Sequence, residues 1–127
     1  MCIRDRVIGA NKHVCSSLID FKRGKKGGHF ECRENYIDIH PGQESPTTLR
    51  IKNRDRIIFS YRDSDQLVKN CTPSNGEVNI DVYKNKKLIK SLYFDYRQRK
   101  KILEKGELEF VISKGRFGNE CDWLTIR

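Results

Sequence analysis

The stretch that decides the fold is Val78-Asn79-Ile80-Asp81-Val82-Tyr83-Lys84-Asn85-Lys86-Lys87-Leu88-Ile89-Lys90-Ser91-Leu92-Tyr93-Phe94-Asp95-Tyr96. Val78, Ile80 and Val82 alternate with Asn79, Asp81 and Tyr83, the period of two with which a strand buries one face and wets the other. Asn85-Lys86-Lys87 interrupts the pattern, and residues 88–96 resume it. Asparagine tolerates the positive φ of a tight turn, so the two runs are expected to fold back as an antiparallel hairpin.

The same alternation recurs on both sides of this hairpin. Downstream, Leu108, Phe110 and Ile112 share a face, with Glu107, Glu109 and Val111 opposite. Upstream, Ile57, Phe59 and Tyr61 oppose Ile58 and Ser60, and Leu49 and Ile51 follow Pro46-Thr47-Thr48. Phe30 with Cys32, and Ile37 with Ile39, make two shorter strands separated by Arg33-Glu34-Asn35. Turn chemistry falls between the runs: Pro41-Gly42, Ser45-Pro46, Pro73-Ser74-Asn75-Gly76, Lys105-Gly106 and residues 115–119. Seven or eight short strands punctuated in this way predict an all-β sandwich or barrel and not a βαβ sheet. Residues 63–70 and 98–104 could each hold a helical turn, though neither carries an apolar face. Residues 7–28 read as a poorly ordered lead-in, with one candidate strand at 18–21 followed by a flexible Gly/Lys loop. The sandwich domain is expected over residues 29–127.

A chain of 127 residues suits one domain. Charged residues make up 34% and the mean hydropathy is −0.74, so the core has to come from short alternating strands. No run approaches the roughly 18–20 apolar residues of a membrane span. The head, Met1-Cys2-Ile3-Arg4-Asp5-Arg6, looks like translated sequencing-adapter read-through and is set apart as a foreign segment. The run at 123–127 ends inside a strand pattern, which suggests a truncated C-terminus; the chain is expected to be part of a larger bacterial or phage protein.

The formal net charge is +9. The head carries two Arg and one Asp, so the rest of the chain keeps +8. Such an excess fits nucleic acid, an anionic surface or acidic glycans as partners. The clusters are Lys22-Arg23-Gly24-Lys25-Lys26, Lys84 to Lys87 broken by Asn85, and Arg97 to Lys101 broken by Gln98. Each sits at a predicted turn flanked by acids, and lysine also discourages edge-to-edge strand pairing. Nucleic acid therefore ranks last among the partners. Beyond Cys2, four cysteines remain: Cys15, Cys32, Cys71 and Cys121. They allow three disulfide connectivities and suit an exported or cell-envelope protein, while buried free thiols in the cytosol are nearly as compatible. The spacing does not choose. His29 and Cys32 are the one close Cys/His pair, and they would need two further ligands to hold zinc.

The features of a catalyst do not assemble. Glycoside hydrolysis needs two carboxylates at a fixed separation, and Asp38, Asp81 and Asp95 fall on solvent-type positions with nothing to pair them. The Gly24–Gly28 region lacks the order of a phosphate-cradling loop. His13, Cys15, Ser16 and Ser17 are close in sequence, but a strand would point them to opposite faces. His40, before Pro41, reads as a strand-end residue. No catalytic centre, metal or cofactor is expected.

From about residue 36 the order of features becomes specific. Tyr36-Ile37-Asp38-Ile39-His40-Pro41-Gly42 is followed by Thr47-Thr48-Leu49-Arg50-Ile51 and Asp55-Arg56-Ile57-Ile58-Phe59. Ser74-Asn75-Gly76-Glu77-Val78 leads into the hairpin, and Gly106 to Ile112 precedes a Gly/Asn loop and Asp122-Trp123. This succession resembles the galactose-binding-like jelly rolls, and within them the novel carbohydrate-binding module group, over about three quarters of the chain. The resemblance implies an antiparallel β-sandwich of jelly-roll type and a non-catalytic binding module for glycan. It also departs from the pattern in its Leu124-Thr125-Ile126-Arg127 ending and its richer Lys/Arg content.

Sugar sites on sandwiches use an aromatic plate against a pyranose ring and planar polar groups for the hydroxyls. Tyr61, Arg62, Tyr83, Arg116, Phe117 and Asn119 are the expected ligand-binding residues, with Tyr93 and Tyr96 as further exposed aromatics. Trp123, the single Trp, is expected in the core. The alternative is a structural sandwich packed on a neighbouring domain or protein, since fold does not determine function.

Overall fold

The computed structural model describes residues 15–33, 36–61, 77–95, 98–115 and 123–127. They contain ten strands: β1 Leu18–Lys22, β2 His29–Cys32, β3 Ile37–His40, β4 Thr47–Asn53, β5 Ile57–Tyr61, β6 Val78–Lys84, β7 Lys87–Phe94, β8 Arg99–Ile102, β9 Gly106–Lys114 and β10 Leu124–Ile126. Two five-stranded sheets form, in the orders β1-β4-β9-β6-β7 and β2-β3-β10-β5-β8. Every pairing is antiparallel. Only β2–β3 and β6–β7 connect neighbours in one sheet; each other link passes to the opposite sheet. The expected antiparallel sandwich is present.

Strand alternation builds the core. Leu49 and Ile51, Val78, Ile80 and Val82, and Leu108, Phe110 and Ile112 point inward from the first sheet. Ile37, Ile39, Ile57, Phe59, Ile102, Leu124 and Ile126 meet them from the second. Phe59 and Phe110 pack edge-to-face across the layer, centroids 5.2 Å apart, a geometry that adds about 0.5–1.5 kcal/mol to the area they bury. In the hairpin, Asn85 and Lys86 have φ of 54° and 65°. Two positive φ values in a two-residue loop give the turn whose twist matches the flanking strands.

Several expectations change. Residues 99–102, read as a helical turn, form β8. Ile102 is their one buried residue, which is all an edge strand needs when it covers the core on one side. The candidate strand at 18–21 is present as β1, on the edge beside β4. The loop after it, read as flexible, is clasped against the β3–β4 loop. Gln43 N–H donates to the Lys26 carbonyl (2.8 Å), Glu44 N–H to that of Lys25 (3.2 Å), and Lys25 N–H to the Ser45 hydroxyl (2.6 Å). Buried Thr47 accepts from the N–H groups of both Gly24 and Gly42, at 3.3 and 3.1 Å. Gly24 is required by this close approach, because a Cβ there would collide with the Ser45 carbonyl oxygen.

Asp38, placed by its pattern toward solvent, is 3% exposed. It accepts from the Thr125 hydroxyl at 3.3 Å and lies 3.7 Å from the Arg33 guanidinium, which compensates the burial of its charge. Cys15 and Cys32 form a disulfide across 17 residues, tying the approach to β1 to the end of β2. Cys32 is thereby removed as a thiolate partner for His29. Cys71, Cys121, residues 1–14 and the second candidate helical turn at 63–70 lie outside the described residues.

Candidate functional site

Strand register on the outer face of the first sheet lays one row of side chains across all five strands. Asp20 pairs with Arg50, Arg50 with Glu109, Glu109 with Tyr83, and Tyr83 with Leu88. These positions face away from the core because their neighbours Leu49, Ile51, Leu108, Phe110 and Val82 are buried. Arg50, Tyr83, Glu107, Leu108 and Glu109, with Asn85 and Lys86 of the hairpin turn, line a groove of about 440 Å³. Adjacent strands are about 4.8 Å apart, so the guanidinium and phenol stem from strand positions roughly 10 Å from each other. Glu109 projects from the strand between them, so the row presents a guanidinium, a carboxylate and a phenol side by side along the groove.

The electrostatics of the groove are mixed. Arg50 reaches Asp20 at 3.6 Å and Glu107 at 3.7 Å, distances of loose ion pairs at half-exposed groups. Its Nε is buried and has no hydrogen-bond acceptor. An unsatisfied buried donor is costly, so it calls for a partner. The groove therefore combines donors (Arg50, Lys86, Asn85), acceptors (Glu107, Glu109, Asn85) and the half-buried ring of Tyr83. Such a set can satisfy vicinal hydroxyl groups while the ring covers an apolar face.

A second aromatic group lies at the opposite end of the sandwich, on the outer face of the other sheet. His29 pairs with His40, and Trp123 enters β10 beside them. The Trp123 ring is 4.4 Å from that of His40, tilted, and 5.4 Å from that of His29, edge-on. Trp123 is half-buried and stands outside the buried core, contrary to the sequence expectation. The reason is parity: Leu124 and Ile126 take the inward positions of β10, which turns Trp123 outward.

Of the six expected ligand residues, the two that are described, Tyr83 and Tyr61, lie in different sheets. Tyr83 lines the groove. Tyr61 lies in the other sheet, opposite Leu124 near the far end of the sandwich, where its half-buried ring packs on the core. Arg62, Arg116, Phe117 and Asn119 lie outside the described residues, as does Tyr96. Tyr93 is on the outer face of edge strand β7. Arg50, Glu107, Glu109, Asn85 and Lys86 were missed. Alternation in the sequence already put Arg50 and both glutamates outward; what it lacked was the strand order that sets β4, β9 and β6 side by side. Among the described residues, no group of three His, Cys, Asp or Glu side chains could hold a metal ion, and no helix is long and apolar enough to cross a membrane.

No protein-family model and no curated protein sequence matches this chain. Solved structures do. A carbohydrate-binding module, CBM51 of the Clostridium perfringens GH95 protein in complex with methyl-galactose, superposes with a TM-score of 0.53 at 8% identity, over 86% of this chain and 90% of that one. The M60 catalytic domain of C. perfringens ZmpB with its CBM51-1 and CBM51-2 domains gives 0.54 at 9% identity, over 87% and 14%. CBM51-2 of the same protein with its INT domains, in complex with GlcNAc, gives 0.52 at 14% identity, over 85% and 28%. The chain thus spans a minor part of the two ZmpB structures and nearly all of the GH95 module. At these identities the likeness establishes the fold alone: this chain has the two-sheet antiparallel β-sandwich seen in those modules.

Proposed function

We propose that the chain is a non-catalytic glycan-binding module of a larger protein, and that the Arg50–Tyr83 groove is its sugar site. The observation that carries this reading is the cross-strand row Arg50–Glu109–Tyr83, which lines one groove with a guanidinium bearing an unsatisfied N–H, a carboxylate and an aromatic ring. The fold supports it by analogy alone. Structures of this fold hold methyl-galactose in one case and GlcNAc in another, so a neutral pyranose is the natural first ligand. Tyr83 would cover the apolar ring face, Arg50 would donate to hydroxyl oxygens, and Glu107 and Glu109 would accept from hydroxyl groups. Modular sites of this kind rely on few contacts, so affinities in the micromolar to millimolar range are expected, about −4 to −8 kcal/mol.

The direct test is an NMR titration of the 15N-labelled chain with a panel of neutral mono- and disaccharides that includes methyl-galactoside and N-acetylglucosamine. Saturable shifts at the amides of Arg50, Tyr83, Asn85, Glu107 and Glu109 are expected. Saturable shifts confined to the Trp123 end would move the site there, and no shift with any sugar would remove the reading.

A second reading has its own observation. Leu88 (49% exposed), Ile89 (38%) and Tyr93 (50%) lie on edge strand β7, and Leu103 (60%) precedes Glu104, whose carboxylate meets Lys90 at 3.6 Å. An apolar edge of this kind suits packing against a neighbouring domain. It is compatible with sugar binding, since it uses different residues.

A further inference from the structure

The free edge of the second sheet carries a different chemistry. Among the described residues, β8 is its last strand and β5 is its one neighbour in the sheet. Ile102 is buried opposite Ile57, so Arg99 and Lys101 alternate outward, opposite Ser60 and Ile58. Arg56, immediately before β5, closes the same trough. Arg56, Ile58, Arg99, Lys100 and Lys101 line a groove of about 520 Å³. Its floor is the half-buried Ile58 and its walls are cationic.

Among the described residues, most of the positive charge there has no carboxylate partner. Arg56 lies 3.7 Å from Asp55, but no ion pair among the described residues engages Arg99, Lys100 or Lys101. Arg99 and Lys101 are two residues apart on one face, about 7 Å along the strand. Holding like charges in a row raises a local potential that an anionic ligand would relieve. Charge on an edge strand also blocks unwanted pairing. That role alone needs neither a groove nor Arg56, which comes from beyond the neighbouring strand.

We propose that this groove binds an anionic polysaccharide bearing carboxylate or sulfate groups. The guanidinium groups of Arg56 and Arg99 present paired donors matched to either oxyanion, Lys101 adds point charge, and Ile58 gives a sugar ring an apolar floor. Single-stranded nucleic acid fits less well, because among the described residues no aromatic lines the groove to stack a base. This site goes beyond the neutral-sugar reading and shares no residue with it, so the two can fail separately.

The test is calorimetric titration of the full chain with polygalacturonate, heparin, uncharged dextran and polyuridylate, at about 50 and 200 mM salt. At least one of polygalacturonate and heparin should bind, more weakly at the higher salt, and the preference between them distinguishes carboxylate from sulfate. Arg99→Gln with Lys101→Gln should weaken that binding at least tenfold, while neutral-sugar shifts at Tyr83 stay unchanged. Arg56→Glu lies outside the strand pairing and should reproduce the loss if the strand variant fails to fold. The proposal is overturned if neither polyanion binds at low salt, if the variants bind as tightly as the parent, or if polyuridylate binds as well as the polysaccharides.

Discussion

Thr47 shows how much one side chain holds in this sandwich. It is fully buried, and its hydroxyl oxygen is the acceptor for two backbone N–H groups, on Gly24 and Gly42. Those bonds lock two loops that would otherwise swing free at one end of the strands. Thr47→Val keeps the shape but leaves both donors without a partner, each at a cost of about 1–3 kcal/mol. A urea melt should show a loss of about 2 kcal/mol or more; an unchanged midpoint would show that water replaces the hydroxyl. Glu77 and Asn53 are also buried polar residues, and Asn53 is well satisfied: its amide donates to the Glu104 carbonyl at 2.6 Å while its oxygen accepts from Asp55 N–H at 3.2 Å. The Asn53–Asp55 contact is a local turn, but the Asn53–Glu104 bond and the role of Thr47 are not visible locally. Thr47 is a good strand residue by propensity, and only the meeting of loops some twenty residues apart makes it a hub.

At the scale of elements, legibility tracked alternation. β6 and β9 were plain because three inward apolar residues recur at period two, as in Val78, Ile80 and Val82. β8 was hidden because an edge strand with one buried residue, Ile102, has no period to detect. The Arg50 groove was hidden for another reason: its residues come from β4, β6 and β9, and strand order is a long-range property that parity cannot supply. Cysteine pairing was equally open in the sequence, and the sheets decide it by bringing Cys15 and Cys32 together. Closing a loop of 17 residues stabilises a chain by roughly 3 kcal/mol through the unfolded state. Cys15→Ser with Cys32→Ser should therefore lower the thermal midpoint, and dithiothreitol should lower that of the parent but not of the variant. Equal sensitivity of both proteins to the reductant would contradict the assignment.

For the whole molecule, the two sheets present separate surfaces: a mixed polar and aromatic groove on one, a cationic groove on the other. The net charge of +9 is thus not a uniform property, and part of it is concentrated at Arg99, Lys100 and Lys101, which no ion pair among the described residues engages. Salt separates the two surfaces, since charge-driven binding weakens as ionic strength rises while ring packing and neutral hydrogen bonds respond little. The central claim, sugar recognition at Arg50 and Tyr83, is tested most directly by a glycan-array screen of the chain and of Tyr83→Ala, each at low and moderate salt. The account predicts binding by the parent to a defined set of neutral glycans, retained at moderate salt and reduced at least tenfold in the variant. Binding of neutral glycans that Tyr83→Ala leaves intact, or binding that vanishes with salt and shows no preference among sugars, would contradict it.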